Sequence, residues 1–266
     1  MTTGSISPAG VPFSKYLADP AVSNSAIKIF LKFGPEVYWR TVVDPQRLST
    51  PATPAMIFGS LVHTAVLEPE HLKARYGPCG ARNTKDGKAT AEYLKSVGAE
   101  PVNKSDWQKM ESIVESIRSH VAASSLLSEG LPERSVWWDD EVSGLCCKAR
   151  CDWTTPDGTI VDLKTTMGGG ASPEEFAKTV ARFGYHIQAA HYLRGTGAKR
   201  FVFLCVEKEW PFPVGLYELD EEAIQKGNEE IDMALKGIAE CHRADRWPGH
   251  AEEITTLSLP RWAYSK

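Results

Sequence analysis

The fold is decided by residues 145–166, which read LCCKARCDWTTPDGTIVDLKTT. An Asp-Gly pair between two runs of β-forming residues is a strong hairpin signal, so we predict two antiparallel strands joined by a turn at residues 156–158. Side chains alternate between the two faces of a strand, so Asp162 and Lys164 share one face of the second strand. The hairpin can therefore bring both of them to Asp152 at the end of the first strand.

This arrangement indicates metal-dependent hydrolysis. The carboxylates of Asp152 and Asp162 suit a hard divalent cation such as Mg²⁺. A lysine beside that cation, here Lys164, could orient or deprotonate an attacking water. An Asp-x-Lys pattern alone is common by chance, so the hypothesis needs support from the rest of the chain.

The composition is that of a globular protein. With 266 residues, 42% of them hydrophobic, the chain can bury a full core. The formal net charge of -4 argues against a generic basic nucleic-acid binder, although it leaves room for a local basic channel. There is no apolar run of about 18 residues and no secretory signal pattern, so we expect a cytoplasmic protein without membrane association.

The chain has six cysteines, and no two of them form a Cys-x-x-Cys pair. Disulfides are rare in cytosolic proteins, so we expect the cysteines of the hairpin to pack as small hydrophobic residues. A zinc or iron–sulfur site is the alternative, and the spacing does not favour it.

The order of elements predicts an α/β fold with a central mixed sheet flanked by helices. Residues 1–21 are rich in Ser, Gly and Pro and are expected to be flexible, ahead of a single domain at residues 22–266. The main predicted elements around the hairpin are helices at 55–67, 104–127, 172 onward, 185–194 and 220–244, and strands at 135–142, 201–206 and 214–219.

Other residues could join the centre, by which we mean the predicted metal site formed by Asp152, Asp162 and Lys164. His63 is the one ionisable side chain of the apolar helix at 55–67, and it is either a core histidine or a ligand facing the carboxylates. Gln188 and Tyr192 share a face of a later helix, where ordinary packing is the alternative. Glu133 and Glu141 flank a predicted strand, and whether either joins the site stays open.

Residues 75–104 are polar and rich in basic side chains. They form either a solvated surface or a rim that contacts DNA phosphates, which a nuclease of net negative charge would need. The basic residues that we single out as DNA contacts are Arg82, Lys85 and Lys88.

In chain order, these residues resemble the signature of one family. Gly59 to His63 gives G-x-x-x-H, Arg150 to Asp152 gives R-x-D, Asp162 to Lys164 gives D-x-K, and Gln188 to Tyr192 gives Q-x-x-x-Y. The combination resembles the RecB/RecE branch of the PD-(D/E)xK nucleases. The stretches VSNSAIKIFLKFGPEVYW and FGSLVHTAVLEPE look more narrowly like RecE-type exonucleases of phages and prophages. The resemblance covers roughly residues 20–262.

The resemblance implies a restriction-endonuclease-like core and a Mg²⁺-dependent exodeoxyribonuclease, with Mn²⁺ as a substitute for Mg²⁺. Such enzymes degrade one strand of linear double-stranded DNA from the 5′ end and leave a 3′ single-stranded overhang. A RecT-like single-strand annealing protein then uses the overhang in phage recombination. The resemblance also implies a homo-oligomeric ring on DNA ends, with a tetramer favoured, in the cytoplasm of a bacterial host cell.

The resemblance further implies roles for single residues. Lys164 would position or activate water, and Cys151 stands where the family often has proline. No cysteine precedes His63, which argues against the iron–sulfur branch of the superfamily. The implied metal ligands are Asp152, Asp162, the main-chain carbonyl of Leu163, and His63. The implied contacts to DNA or supports of the site are Arg150, Gln188 and Tyr192.

Three alternatives stay open at this point. A site-specific endonuclease would also cleave closed circular DNA. A non-catalytic scaffold that binds DNA ends for recombination would bind without cleaving. A protein-interaction domain, in which the charges only form a solvated strand face, would bind Mg²⁺ weakly or not at all.

Overall fold

The computed structural model describes residues 5–6, 11–48, 51–250 and 253–264, with the backbone alone at residues 5–6. The strands are β1 (Ser5–Ile6), β2 (Val22–Ser23), β3 (Tyr76–Cys79), β4 (Glu100–Asn103), β5 (Leu131–Asp139), β6 (Cys146–Thr154), β7 (Ile160–Thr166), β8 (Phe201–Glu207) and β9 (Val214–Tyr217). The α-helices are α1 (Phe13–Ala18), α2 (Asn24–Phe33), α3 (Pro35–Tyr38), α4 (Pro54–Leu67), α5 (Leu72–Arg75), α6 (Lys85–Ser96), α7 (Lys104–Ser119), α8 (Val121–Leu126), α9 (Pro173–Phe183), α10 (Tyr185–Thr196) and α11 (Glu221–Ala244). A π-helical turn lies at Trp39–Val43, and 3-10 turns lie at Pro69–His71 and Arg261–Tyr264.

One mixed sheet forms the centre of the molecule. Its strand order in the described residues is β1-β5-β6-β7-β8-β9, and β2 pairs with β6 from the side. Strands β5, β6 and β7 are antiparallel in succession, β7 and β8 are parallel, and β9 is antiparallel to β8. The predicted hairpin is therefore confirmed, as is the α/β class with a mixed sheet flanked by helices.

Helices cover both faces of this sheet. Strand β8 is buried along its whole length, so its alternate side chains enter two different cores. Phe203 joins the core formed with α2, α9, α10 and α11. Leu204 joins the core formed with α4 and α7. Full burial of each such side chain contributes about 1.5–3 kcal/mol to folding, so the two layers fix the sheet between them.

Polar caps set the ends of the helices near the sheet. Ser172 accepts a hydrogen bond from the backbone of Glu175 and precedes the proline that opens α9. Asp220 caps α11 in the same way, so this helix begins one residue after the predicted start. In the described part of the chain, no helix is both long enough and apolar enough to cross a membrane.

Two predicted elements differ from the structure. The long helix predicted at 104–127 is wrong, because the chain is extended at His120, whose ring accepts a hydrogen bond from the backbone of Ala123 and starts α8 anew. The strand predicted at 135–142 begins and ends earlier, because a tight turn at residues 140–144 carries the backbone into β6.

The polar stretch at residues 75–104 contains a small folded unit. Strands β3 and β4 pair in parallel, and α6 connects them. The Arg82 guanidinium donates a hydrogen bond to the Pro101 carbonyl at 2.6 Å, which ties the connection to β4. The sequence analysis predicted no elements in this stretch, because its strands are only four residues long and include prolines.

Helix α1 lies in the segment that we predicted to be flexible. Its C-terminal carbonyls accept hydrogen bonds from Lys148 Nζ, at 2.6 Å from the Tyr16 oxygen and 2.7 Å from the Asp19 oxygen. A lysine at a helix C-terminus satisfies free carbonyls and the helix dipole. Strand β6 therefore holds α1 in place.

The predicted division into a flexible segment at 1–21 and a single domain at 22–266 stays a prediction. Of the first 21 residues, 1–4 and 7–10 lie outside the described residues, and the remainder includes α1.

Candidate active site

The centre lies where β6 and β7 part. In the described residues their pairing includes Trp153 with Val161 and ends there. Asp152 is the residue before Trp153 on β6, and here a side chain connects the two strands. Asp152 Oδ2 accepts a hydrogen bond of 2.9 Å from the backbone nitrogen of Leu163 on β7. Strand β2 pairs with the earlier part of β6 instead. The two central strands therefore diverge at the residues that carry the predicted chemistry.

Asp162 is fully buried, and two side chains hold it. Gln188 Nε2, from α10, donates a hydrogen bond to Asp162 Oδ1 at 2.6 Å. Lys164 Nζ forms an ion pair with Asp162 Oδ2. That oxygen nevertheless receives no well-directed hydrogen bond within the described residues. A buried carboxylate oxygen with an incomplete set of partners is costly, and a bound cation would complete it.

His63 and Glu133 converge on Asp152 from two other elements. His63 Nδ1, on α4, lies 3.5 Å from Asp152 Oδ2. One ligand atom from each of His63, Glu133 and Asp152 lies within 4.8 Å of the others. Ligand atoms that share a cation about 2.0–2.6 Å away must lie this close together.

Glu133, which the sequence left open beside Glu141, is thus the one that joins the centre. The register of β5 and β6 pairs the residues on both sides of Glu133 with those on both sides of Asp152, which sets these two opposite each other. Glu133 has a φ of 53°, a left-handed conformation that costs a non-glycine residue about 1 kcal/mol or more. Counting the strand register back from the β5–β6 turn would have found it. Glu141 is exposed in that turn.

Arg150 is engaged by the protein itself. Its Nε donates to Glu133 Oε2, while Nη1 donates to Ser135 Oγ at 3.1 Å and to the Val11 carbonyl at 2.7 Å. The guanidinium therefore connects the metal-ligand candidate Glu133 with the segment that precedes α1. A phosphate contact of Arg150 stays a prediction.

Charge and burial set the protonation states of the centre. Burial, and next the charge of Asp162, raises the pKa of the Asp152 carboxyl well above its usual range. Burial, and next the charge of Lys164, lowers the pKa of His63, so its ring is neutral and able to bind a metal ion. Burial disfavours the charged form of Lys164. The charges of the neighbouring carboxylates together have a larger effect than burial, so the pKa of Lys164 is raised.

These residues fit a divalent cation. Carboxylate oxygens are the usual protein ligands of Mg²⁺ and Mn²⁺, whereas a neutral imidazole is more typical of softer divalent ions such as Zn²⁺, so the two carboxylates favour a hard ion and His63 is the softer member of the set. The incomplete partners of Asp162 Oδ2 and the raised pKa of Asp152 both indicate a centre short of positive charge. His63, Glu133 and Asp152 could hold such an ion. The predicted ligand roles of Asp162 and of the Leu163 carbonyl stay predictions.

A cleft of about 1770 Å³ opens on the centre, lined by His63, Glu133, Arg150 and Asp152 among others. It exceeds the roughly 300–1,000 Å³ of a typical small-molecule pocket and has room for an extended substrate. Gly59 lines it one turn before His63, and apart from its neighbours and the backbone of its own helix, no atom of the described residues lies within 4 Å of the point where a Cβ would stand. A ligand can therefore approach the backbone of α4 closely.

The remaining predicted residues fall into two groups. Tyr192 is buried one turn beyond Gln188, and its hydroxyl accepts a hydrogen bond from Asn24 Nδ2 at 3.4 Å. It also lines the cleft. The described lining of the cleft does not include the predicted DNA contacts Arg82, Lys85 and Lys88, which are exposed on and beside α6.

Comparison with known proteins agrees with this geometry. A family model described as "PDDEXK-like domain of unknown function (DUF3799)" matches residues 23–260. No curated protein matches the chain. A solved structure from Eubacterium rectale, described as "Putative exonuclease", has a TM-score of 0.66 at 18% identity and covers 96% of both chains. This likeness concerns the fold, and together with the family match it confirms the expected restriction-endonuclease-like core.

A second solved structure is described as a phage related exonuclease from Haemophilus somnus 129PT. It has a TM-score of 0.38 at 12% identity and covers 85% of this chain and 96% of its own. At that score the likeness carries no weight.

Proposed function

The chain belongs to the family of PDDEXK-like domains, within the PD-(D/E)xK nuclease superfamily, and on this premise we propose that it is a metal-dependent exodeoxyribonuclease. We propose Mg²⁺ as its cofactor, with Mn²⁺ as a substitute, and the ends of linear double-stranded DNA as its substrate. One observation carries the proposal. Asp152, Asp162 and Lys164 meet at the split between β6 and β7, with His63 and Glu133 beside them and a cleft in front.

The residues of the centre divide the chemistry among them. A bound divalent cation would lower the pKa of a water molecule and stabilise charge on the phosphate. His63, Glu133 and Asp152 would hold that ion. Lys164 has a raised pKa and stays protonated near neutral pH, so it would stabilise the developing negative charge and orient the water. A protonated lysine cannot accept a proton from water, so Lys164 is disfavoured as the base.

The finer assignments rest on the resemblance of the four ordered motifs to RecE-type exonucleases. We propose degradation from 5′ to 3′ that leaves a 3′ single-stranded overhang, and transfer of that overhang to a RecT-like annealing protein during phage-type recombination. We also propose a homo-oligomeric ring, with a tetramer favoured. Light scattering after size-exclusion chromatography measures the number of subunits, and a monodisperse monomer would contradict the ring.

The central test uses linear double-stranded DNA labelled at either the 5′ or the 3′ end, with closed circular DNA alongside, and with Mg²⁺ or EDTA. We expect stepwise release of the 5′ label in Mg²⁺ only, and an intact circle. Release from the 3′ end would contradict the polarity. Cleavage of the circle would favour the site-specific endonuclease, and binding of ends without cleavage in Mg²⁺ or Mn²⁺ would favour the scaffold.

Variants of the centre show whether its residues are responsible for DNA cleavage. We expect Asp162→Ala and Lys164→Ala to abolish cleavage while the circular dichroism spectrum is retained. The matched controls are Asp86→Ala on α6 and Lys236→Ala on α11, which remove the same charges from exposed positions outside the described cleft lining. Full activity in either purified centre variant would sink the assignment.

A further inference from the structure

Two stacked aromatic rings, with a cation over each, extend from Lys164 along residues that are not part of the described cleft lining. Lys164 Nζ lies 4.8 Å from the centroid of the Tyr185 ring. Tyr185 stacks on Phe183, with centroids 5.9 Å apart and planes at 26°. The Arg182 guanidinium lies 5.3 Å from the Phe183 ring. We call Lys28, Arg182, Phe183 and Tyr185 the aromatic strip.

Lys28, on α2, lies beside both rings. Its Nζ is 5.8 Å from the centroid of Tyr185 and 3.3 Å from the Phe183 carbonyl, to which it donates a hydrogen bond. Gly184 makes this approach feasible. Its φ is 63°, and an added Cβ would stand 3.1 Å from Lys28 Cδ. The left-handed glycine therefore joins α9 to α10 and leaves room for the Lys28 stem.

The strip is partly exposed to solvent. The Phe183 side chain is 51% exposed, so a ligand can reach part of its ring. Arg182 is exposed as well. Burial, and next the charge of Lys164, lowers the pKa of Lys28 to about 8, so a nearby anion would favour its charged form.

We propose that the aromatic strip binds single-stranded nucleic acid, as the continuation of the strand whose phosphate lies at the centre. Bases can stack on Phe183, while Lys28 and Arg182 contact the phosphates. Stacking on aromatic rings beside cations is how proteins hold single strands without reading their sequence. Lys164 belongs to the centre and also contacts Tyr185, so a strand held at the centre lies next to the strip.

This inference rests on the proposed function for the identity of the strand, but the binding can be measured without cleavage. The experiment titrates the full chain into a fluorescein-labelled oligothymidylate in EDTA and follows the anisotropy. We expect Phe183→Ala to raise the Kd roughly tenfold and Phe183→Tyr, which keeps a ring, to retain the affinity. We expect Arg182→Ala to reduce the slope of log affinity against log salt by about 0.7.

Phe33→Ala is the matched control. Phe33 is 48% exposed and carries Lys32 Nζ 5.0 Å from its ring centroid, so it has the same chemistry as Phe183. It lies about 140° around α2 from Lys28 and is not part of the strip. We expect the Kd of this variant to equal that of the wild-type protein.

The outcomes separate the two proposals. An unchanged Kd in both Phe183→Ala and Arg182→Ala overturns the inference, as does a wild-type protein that does not bind the oligothymidylate. Binding that depends on Phe183, in a protein that cleaves no DNA, supports the inference and contradicts the proposed nuclease. If the protein cleaves DNA but Phe183→Ala does not change its affinity for the single strand, the proposed nuclease is supported and the inference about the strip is contradicted.

Discussion

Arg150 Nε donates a hydrogen bond to Glu133 Oε2 and so fixes the carboxylate that lies opposite Asp152. The same guanidinium reaches the Val11 carbonyl through Nη1 at 2.7 Å. A single side chain of β6 therefore positions a candidate metal ligand and holds the segment before α1. Motif resemblance suggested a DNA contact for Arg150, whereas its observed partners indicate a positioning residue.

We expect Arg150→Lys to raise the Mg²⁺ concentration for half-maximal cleavage roughly tenfold, because lysine keeps the charge but cannot bridge the same acceptors. Cleavage rates measured across a Mg²⁺ titration check this. Arg200→Lys is the control, since Arg200 pairs with Glu218 on the surface. A weaker salt dependence of DNA binding with an unchanged Mg²⁺ requirement would instead assign Arg150 to a phosphate.

The raised pKa of Asp152 predicts that metal binding strengthens with pH. Below that pKa a proton competes with the cation for the carboxylate. Because its pKa is raised in the folded state, the ionisation of Asp152 lowers the free energy of unfolding of the metal-free protein. This loss grows as the pH rises through the folded-state pKa. Mg²⁺ should therefore raise the Tm more at about pH 8 than at about pH 5.5.

Asp152→Asn isolates this effect, since it removes the ionisable group. We expect thermal melts of the variant to show a smaller Tm shift with Mg²⁺ that no longer grows between the two pH values. At the higher pH, protonation of His63 contributes little to the Mg²⁺-induced Tm shift, because the lowered pKa of His63 keeps its ring neutral there. An equal pH dependence in wild type and variant would contradict the role of Asp152.

Much of the sheet was predictable because its signals are local. The Asp-Gly turn gave the β6–β7 hairpin, and the alternating side chains gave Asp162 and Lys164 a common face. The apolar run at β8 indicated a buried strand, and the helix predicted at 220–244 begins one residue later than expected, at Glu221. In each case, residues within one element carry the information.

The features that the sequence missed or left open depend on contacts between elements. Glu133 was a candidate beside Glu141, but it reaches the centre through a left-handed backbone that glutamate rarely adopts, so its residue type did not decide between the two. The break at His120 was hidden because buried residues such as Ile117 and Ala123 continue the apolar pattern on both sides. The partners of Arg150 lie on β5 and before α1, which no spacing within its own strand reveals.

Gly59→Ala should stabilise the fold and weaken cleavage. Alanine is favoured over glycine within a helix by about 0.5–1 kcal/mol, and the added Cβ meets no atom within 4 Å. Under the proposed function a DNA strand lies in the cleft that Gly59 lines, so the same Cβ would stand in its way. We expect a higher midpoint in urea and a higher KM for DNA. Unchanged cleavage kinetics would show that no substrate approaches this turn.

Gln188 offers the sharpest test of positioning, because its amide donates to Asp162 Oδ1 and leaves Oδ2 facing Lys164. Without that donor, buried Asp162 can rotate, so we expect Gln188→Leu to lower kcat roughly 10- to 100-fold. The Kd for DNA in EDTA should not change if Gln188 acts only through Asp162. Gln225→Leu is the control, since Gln225 Nε2 also donates to a carboxylate, that of Glu229, on the exposed face of α11. A raised Kd with normal kcat would instead make Gln188 a DNA contact, and the orientation of Asp162 would then need another explanation.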